Sequence, residues 1–139
     1  MNTSLICVDA GLVIRLVAVP ESTAVQQLWD TWTQKGQQII APSLLFYEVT
    51  NALYRYQKNG LLSERAVDLA LRAAQSLPVE LHADGDLHAN ALRIARLYGL
   101  SAAYDAHYLA LAQAFGAEMW TADQRLANAC KLEWVKLVT

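Results

Sequence analysis

Short apolar runs that favour β-strands alternate along this chain with longer segments of helical periodicity. The first run is Leu5–Val8, and four more follow at 38–41, 79–81, 118–121 and 134–137. Between the runs, apolar residues recur every three or four positions, which is the spacing of a buried helix face. Strands that alternate with helices need right-handed crossovers, which make neighbouring strands parallel beneath covering helices. The pattern predicts an α/β fold with a central, mostly parallel sheet of four to five strands, flanked by about six to seven helices.

Capping residues and glycines mark where the helices begin and end. Ser22 and Thr23 can cap a helix that closes near Gly36, and Gly11 lies where the first strand turns into a helix. A long helix from Pro42 ends at Asn59-Gly60, and a second helix follows it to form a helical hairpin. Further helices are predicted at 86–98, 101–115 and 123–130.

Length and charge limit the classes of function. The 139 residues suit one domain, so we expect a single domain over residues 1–139. The apolar stretch near the N-terminus is interrupted by Arg15, is too short to cross a bilayer and carries no secretion signal. We therefore expect a soluble, cytoplasmic protein with no membrane partner. The net charge of −2 does not attract a polyanion, so any nucleic acid must be held locally.

Four acidic residues occupy positions that should converge. Asp9 directly follows the first strand, and Asp123 follows the fourth by two residues, so both belong at the carboxyl edge of the sheet. Glu48 and Asp105 share helix stripes with apolar residues and therefore face the core. A carboxylate on such a face must be paired, hydrogen-bonded or metal-bound. Any one of these acids alone could be a helix cap, but four together would repel each other without a shared cation or shared protons.

The ligand chemistry of this set favours a hard cation. All candidate ligand atoms are oxygens, and no His or Cys lies at ligand spacing, which favours Mg²⁺ or Mn²⁺ over zinc or copper. An ion of this kind can activate water and stabilise the charge that develops on a phosphodiester. The quartet predicts metal-dependent phosphoryl chemistry.

Four segments also match a known family. They are the strand and acid at 6–10 and the stretches at 42–53, 100–112 and 120–126, which carry the other three acids in this order. Together they span nearly the whole chain, and the sequence resembles the PIN-domain ribonucleases, specifically the small VapC-type toxins of prokaryotic toxin–antitoxin systems.

The resemblance implies an endoribonuclease that binds Mg²⁺ or Mn²⁺ through its four acids and uses them in catalysis. It implies that Thr121 supplies a hydroxyl near the metal without binding it directly, and it adds Asn51, one helical turn from Glu48, as a second supporting residue. It further implies an RNA substrate, a homodimer and a small antitoxin protein that inhibits the enzyme. Where the family often carries Ser or Thr two residues after the first Asp, this chain has Gly11. We therefore expect weaker or altered metal affinity.

Other phosphate chemistries fit the sequence less well. A phosphatase of the haloacid-dehalogenase type needs a second Asp at the position of Gly11, and no glycine-rich nucleotide-binding motif is present. Two alternatives stay open: a PIN-like binding module that has lost catalysis, and a housekeeping RNA-processing nuclease. The RNA target, the antitoxin and the number of metal ions are not encoded in any pattern that the sequence displays.

Surplus apolar residues mark a candidate interface. The helical hairpin from about Pro42 to Ser76 carries more apolar side chains than one buried stripe needs, among them Leu53, Tyr54, Leu61 and Val67. We expect this hairpin to contact a second copy of the chain or an antitoxin segment.

Overall fold

A computed structural model of the protein describes residues 4–138 and contains one five-stranded sheet in that range. Every pairing between neighbouring strands is parallel, and the strand order is β3-β2-β1-β4-β5. The predicted α/β fold is confirmed. The strands are β1 (Leu5–Val8), β2 (Gln38–Pro42), β3 (Val79–His82), β4 (Glu118–Thr121) and β5 (Val135–Leu137).

Helices occupy every connection between consecutive strands. Two lie between β1 and β2, two between β2 and β3, two between β3 and β4, and one between β4 and β5. They are α1 (Ala10–Ala18), α2 (Thr23–Gln34), α3 (Leu44–Lys58), α4 (Glu64–Gln75), α5 (Asp86–Tyr98), α6 (Tyr104–Phe115) and α7 (Gln124–Cys130).

Two helix boundaries were poorly defined by the sequence. The extent of α1 was not predicted, because the residues after Asp9 are apolar except for Arg15 and show no clear period, although Pro20 marks a helix end two residues after Ala18. The predicted start of α6 at Ser101 was wrong, since the backbone becomes helical only at Tyr104. As a result, Asp105 lies in the first turn of α6 and not one turn inside it.

The order of the strands places a topological switch point between β1 and β4. From β1 the chain moves outward to β2 and β3, then returns to pair β4 with the other side of β1. Because the crossovers are right-handed, the helices before and after this return cover opposite faces of the sheet. In agreement, α1, α3 and α4 pack together, while α5 packs on α6. The carboxyl ends of β1 and β4 therefore border the crevice where such sheets bind ligands.

The core is continuous through this crevice. α6 packs directly on β1, β2 and β4, and most of its residues are buried, including Tyr108 and Leu109. A helix buried on nearly all sides holds its first turn rigidly over the sheet edge. Between residues 4 and 138, no helix combines the length and the apolar character needed to cross a membrane.

Candidate functional site

The four predicted acids line one cavity. Asp9, Glu48, Asp105 and Asp123 surround a space of about 270 Å³ beyond the carboxyl ends of β1 and β4. Asp9 directly follows β1 and Asp123 follows β4, whereas Glu48 comes from α3 and Asp105 from α6. The cavity thus gathers carboxylates from four separate parts of the chain at the switch point of the sheet.

Asp9 is the buried floor of the cavity, with 7% of its surface exposed. Its Oδ1 accepts a hydrogen bond from the backbone N–H of Leu12 at 2.9 Å and so caps α1. Its Oδ2 accepts one from the hydroxyl of Thr121 at 2.5 Å. These bonds fix the orientation of the carboxylate, because both of its oxygens have a donor in place.

Thr121 connects the first and the last acid. It is fully buried at the end of β4, and its hydroxyl oxygen accepts a 2.9 Å hydrogen bond from the backbone N–H of Asp123 while it donates to Asp9. β1 and β4 are paired in register up to Val8 and Trp120, so the next residues, Asp9 and Thr121, lie side by side. The parallel pairing therefore creates this contact.

Asp123 is the exposed member of the set. Its Oδ1 accepts from the backbone N–H groups of Arg125 at 2.9 Å and Leu126 at 3.3 Å, so the side chain caps α7. The cap uses only one of the two carboxylate oxygens. Asp9 and Asp123 are thus both helix caps, which is the alternative that the sequence left open for a single acid. Both side chains also line the cavity.

Glu48 is held by Tyr108, a residue of α6 for which the sequence indicated no role at the site. The hydroxyl of Tyr108 donates a 2.6 Å hydrogen bond to Oε1 of Glu48, and the Tyr108 side chain is fully buried. Burial raises the pKa of Tyr108 well above its usual value, and the bond to Glu48 adds to the effect, so the hydroxyl stays a donor. The signal available in the sequence was that Tyr108 lies one turn after Asp105 on the same helix face.

Burial, and to a smaller extent the charge of neighbouring acids, raises the pKa of Asp9 and Asp105. Burial raises the pKa of Asp9 from 3.8 to about 6, and the charges of Asp105 and Asp123 act in the same direction, although its two hydrogen bonds oppose them. The pKa of Asp105 is also raised, first by burial and then by the charges of Glu48 and Asp123. The four carboxyl groups therefore interact electrostatically across the cavity.

Basic side chains do not neutralise this cluster. Between residues 4 and 138, the one short contact between a basic and an acidic side chain joins His82 to Glu80, which do not line the cavity, so none of the four acids is paired with a Lys or Arg. Arg15 lines the cavity, and Arg125 lines an adjoining depression of about 370 Å³ that Asp105 and Asp123 also border. The uncompensated carboxylates make the cavity suited to a cation.

The carboxylates do not, however, form a closed cage. In the part of the chain that the structure describes, no group of three or more His, Cys, Asp or Glu side chains is close enough to hold a metal ion. A cation in the cavity would then keep water among its ligands, which is the usual behaviour of Mg²⁺. The acidic side chains that line the cavity offer carboxylate oxygens, a donor type that fits Mg²⁺ or Mn²⁺.

Two residues of α3, Asn51 and Tyr56, differ in whether they line the acidic cavity. Asn51 does not line the acidic cavity; it is exposed and lines a groove on α3 with Tyr47 and Tyr54. Tyr56, by contrast, lines the acidic cavity. On α3, Asn51 is rotated about 60° to one side of Glu48 and Tyr56 about 80° to the other, so the two side chains border different surfaces.

Comparison with known proteins is consistent with this geometry. Residues 6–132, most of the chain and all four acids, match the PIN domain family. The chain belongs to the PIN domain family. The resemblance read from its motifs is therefore confirmed, and the curated relatives that this PIN domain matches are VapC proteins. One is Ribonuclease VapC3 of Pyrobaculum aerophilum, which is 29% identical over 123 residues, covering 87% of this chain and 91% of the relative.

Solved structures show the same fold. This PIN domain is similar to VapC20 of Mycobacterium tuberculosis, a "Sarcin-Ricin loop cleaving toxin", with a TM-score of 0.65 and 18% identity over 94% of this chain and 98% of that one. It is also similar to a chain of a toxin–antitoxin complex from Klebsiella pneumoniae, with a TM-score of 0.61 and 17% identity over 96% and 99% of the two chains. At these identities the likeness establishes the fold.

Proposed function

We propose that this PIN domain is an endoribonuclease that depends on Mg²⁺ or Mn²⁺ and serves as the toxin of a toxin–antitoxin pair. The observation that carries the proposal is the cavity of about 270 Å³ in which four carboxylates meet with no Lys or Arg paired to them. The relatives support the same activity, since one is named a ribonuclease and another a toxin that cleaves the sarcin–ricin loop.

Asp9, Glu48, Asp105 and Asp123 would hold the metal, some of them through bridging water, because among residues 4–138 no three such side chains are close enough to ligate one ion directly. The bound ion would supply a water of lowered pKa and stabilise negative charge on the phosphate oxygens. Hydrogen bonds from Leu12 and Thr121 already fix both oxygens of Asp9, so this carboxylate would not have to reorient when the metal binds. Asp105 and Glu48 are half-buried and face the cavity from opposite sides of the crevice.

Arginines at the border of the cavity provide local attraction for RNA. Arg15 lines the cavity, and Arg125 lines the adjoining depression beside Asp105 and Asp123. Both guanidinium groups belong to exposed residues and can bind phosphate oxygens in a bidentate manner. Local contacts of this kind can hold an RNA strand next to the acids although the net charge of the protein is −2.

The α3–α4 hairpin is the surface proposed for the antitoxin and for a second copy of the chain. Tyr47, Tyr54 and Leu61 are 77%, 57% and 68% exposed there, and the two tyrosines line a groove of about 550 Å³. Leu53 and Val67, which we also expected at the interface, are buried within the fold, so that part of the expectation was wrong. α3 carries Glu48 as well, so a basic side chain from a partner on this hairpin could reach the acids and inhibit the enzyme.

A cleavage assay with controlled metal tests the activity. Purified protein is incubated with labelled RNA in Mg²⁺, in Mn²⁺, in excess EDTA, and in EDTA followed by restored Mg²⁺. We expect cleavage with either ion, none in EDTA, and recovery after Mg²⁺ is restored, because the described residues offer no His or Cys group of three or more at the site. Undiminished cleavage in EDTA would falsify the proposal.

The cleavage assay, together with a growth test on expression and the identity of the neighbouring gene, separates the remaining alternatives. A protein that binds Mg²⁺ and RNA but never cleaves would be a PIN-like binding module. A protein that cleaves but whose expression does not arrest growth, and whose neighbouring gene encodes no small DNA-binding protein, would be a housekeeping nuclease. We expect an enzyme that acts in the cytoplasm and is silenced by such a neighbour.

A further inference from the structure

Two histidines form a contact on the surface, outside the acidic cavity. Nδ1 of His88, on α5, lies 3.0 Å from Nε2 of His107, on α6, and the two ring centroids are 5.1 Å apart. His88 is exposed and His107 is half-buried, and neither lines the cavity of the four acids. His107 follows Asp105 by two residues, so on a helix its side chain points to a different face.

A backbone carbonyl fixes which nitrogen of His107 carries the proton. Nδ1 of His107 lies 2.8 Å from the carbonyl oxygen of Ala103, which can only accept a hydrogen bond. Nδ1 must therefore be protonated, and in the neutral ring the lone pair is on Nε2, directed at His88. His88 completes the pair by donating from its own Nδ1. Binding of one ring nitrogen to a backbone carbonyl is also how proteins orient histidines that ligate metals.

We propose that Nδ1 of His88 and Nε2 of His107 form a site for a divalent transition-metal ion of the class that imidazole prefers, such as Zn²⁺ or Cu²⁺. Two nitrogens 3.0 Å apart can both reach one ion at a distance of about 2.0–2.1 Å after small ring rotations. On binding, the proton on Nδ1 of His88 is replaced by the ion, and the neutral ring carries its proton on Nε2 instead. Water fills the other positions, since no third His, Cys, Asp or Glu joins the pair between residues 4 and 138.

This site differs from the acidic cavity in both chemistry and consequence. Its ligands are neutral nitrogens, which favour Zn²⁺, Ni²⁺ and Cu²⁺, whereas the cavity offers carboxylate oxygens that suit Mg²⁺ and Mn²⁺. An ion here joins α5 to the first two turns of α6, the helix whose start positions Asp105. The inference stands independently of the proposed nuclease activity.

The three histidines of the chain provide a matched test. Zn²⁺ is titrated calorimetrically into the full-length wild-type protein, His88→Gln and His82→Gln, with Mg²⁺ in excess to compete at the carboxylates. The Gln at position 88 can still donate a hydrogen bond to His107, so the variant loses a ligand without losing the contact. We expect one Zn²⁺ to bind the wild type and His82→Gln equally, and at least tenfold weaker binding to His88→Gln.

Electron paramagnetic resonance of bound Cu²⁺ gives a second readout. Coupling to two imidazole nitrogens is expected in the wild type and in His82→Gln, and coupling to one or none in His88→Gln. Equal Zn²⁺ affinity in all three proteins, or no Zn²⁺ binding to the folded wild type, would overturn the site whatever the result of the RNA assay.

Discussion

The hydroxyl of Tyr108 donates a 2.6 Å hydrogen bond to Oε1 of Glu48 and so ties α6 to α3 beside the acidic cavity. Sixty positions separate the two residues in sequence. One end of the bond is fully buried and the other reaches the cavity, so the core itself sets the position of a carboxylate that we propose binds metal.

Replacing Tyr108 with Phe removes this bond and keeps the ring. Because the acceptor is a half-buried carboxylate, we expect a loss of about 1.5–3 kcal/mol in the free energy of unfolding, measured in urea. We also expect cleavage to require more Mg²⁺, since Glu48 is no longer held in place. Tyr104→Phe is the control, because Tyr104 is on the same helix and 62% exposed. An unchanged Mg²⁺ requirement in Tyr108→Phe would show that the Tyr108 hydroxyl does not position Glu48 for metal binding.

Stability should depend on pH through Asp9. Its pKa is raised to about 6 from an ordinary value of 3.8, so between these values the folded state binds more protons than the unfolded state. Protonation of Asp9 in the folded state therefore adds about 3 kcal/mol to the free energy of unfolding below pH 4, and this stabilisation is lost as the pH rises through 6. Urea unfolding of the metal-free wild type and of Asp9→Asn across this range measures it. We expect the wild type to lose stability relative to Asp9→Asn as the pH rises; parallel profiles would contradict the assignment.

Gly11 leaves room for the hydroxyl that the family often carries. A Cβ built there meets Oδ1 of Asp9 at 3.7 Å, an ordinary contact, and the backbone is already helical in α1. Gly11→Ala should stabilise the protein by about 0.5–1 kcal/mol. Gly11→Ser should in addition raise the affinity for Mg²⁺, measured by calorimetry, because its hydroxyl can bind a water or the ion beside Asp9. Equal Mg²⁺ affinity in the two variants would show that the missing hydroxyl has no effect.

The exposed face of the α3–α4 hairpin should mediate dimerisation of the protein. Tyr54→Glu places a charge in the groove beside Tyr47 without disturbing a buried residue. We expect light scattering over a concentration series to show a dimer for the wild type and a weakened dimer for this variant. Leu97→Glu, on α5 and 70% exposed, is the control. A wild type that stays monomeric and binds no antitoxin segment through the hairpin would contradict the proposed interface.

Periodicity and strand ends predicted most of the framework. Asp9 and Asp123 could be placed at one sheet edge because each follows a short β-favouring run, and all five runs form strands. Helical periodicity predicted that Glu48 and Asp105 face inward, and both line the cavity beside buried residues at helical spacing. Strand ends and helix faces depend on residues that are close together in the sequence, so they can be predicted from it.

Contacts between distant segments could not be predicted in this way. The bonds from Tyr108 to Glu48 and from His88 to His107 depend on how helices pack, which a single sequence does not specify. Periodicity also does not distinguish Asn51 from Tyr56, because a helix stripe drawn at i+3 and i+4 spans about 100° and its two borders face different surroundings. The start of α6 was misplaced because Ser101 is a good capping residue in a segment that forms a turn instead.

A substitution at Asp105 tests most sharply whether the acidic cavity is a metal-dependent nuclease site. Asp105→Asn removes one charge and preserves shape, so the single-turnover rate of RNA cleavage in saturating Mg²⁺ should fall by roughly a hundredfold or more. The metal-free protein should be as stable as the wild type or more stable, because burial and the charges of Glu48 and Asp123 already disfavour the ionised group. Asp30→Asn, an exposed change on α2, should leave the rate unchanged. Cleavage by folded Asp105→Asn at the wild-type rate would show that the acidic cavity is not the nuclease site.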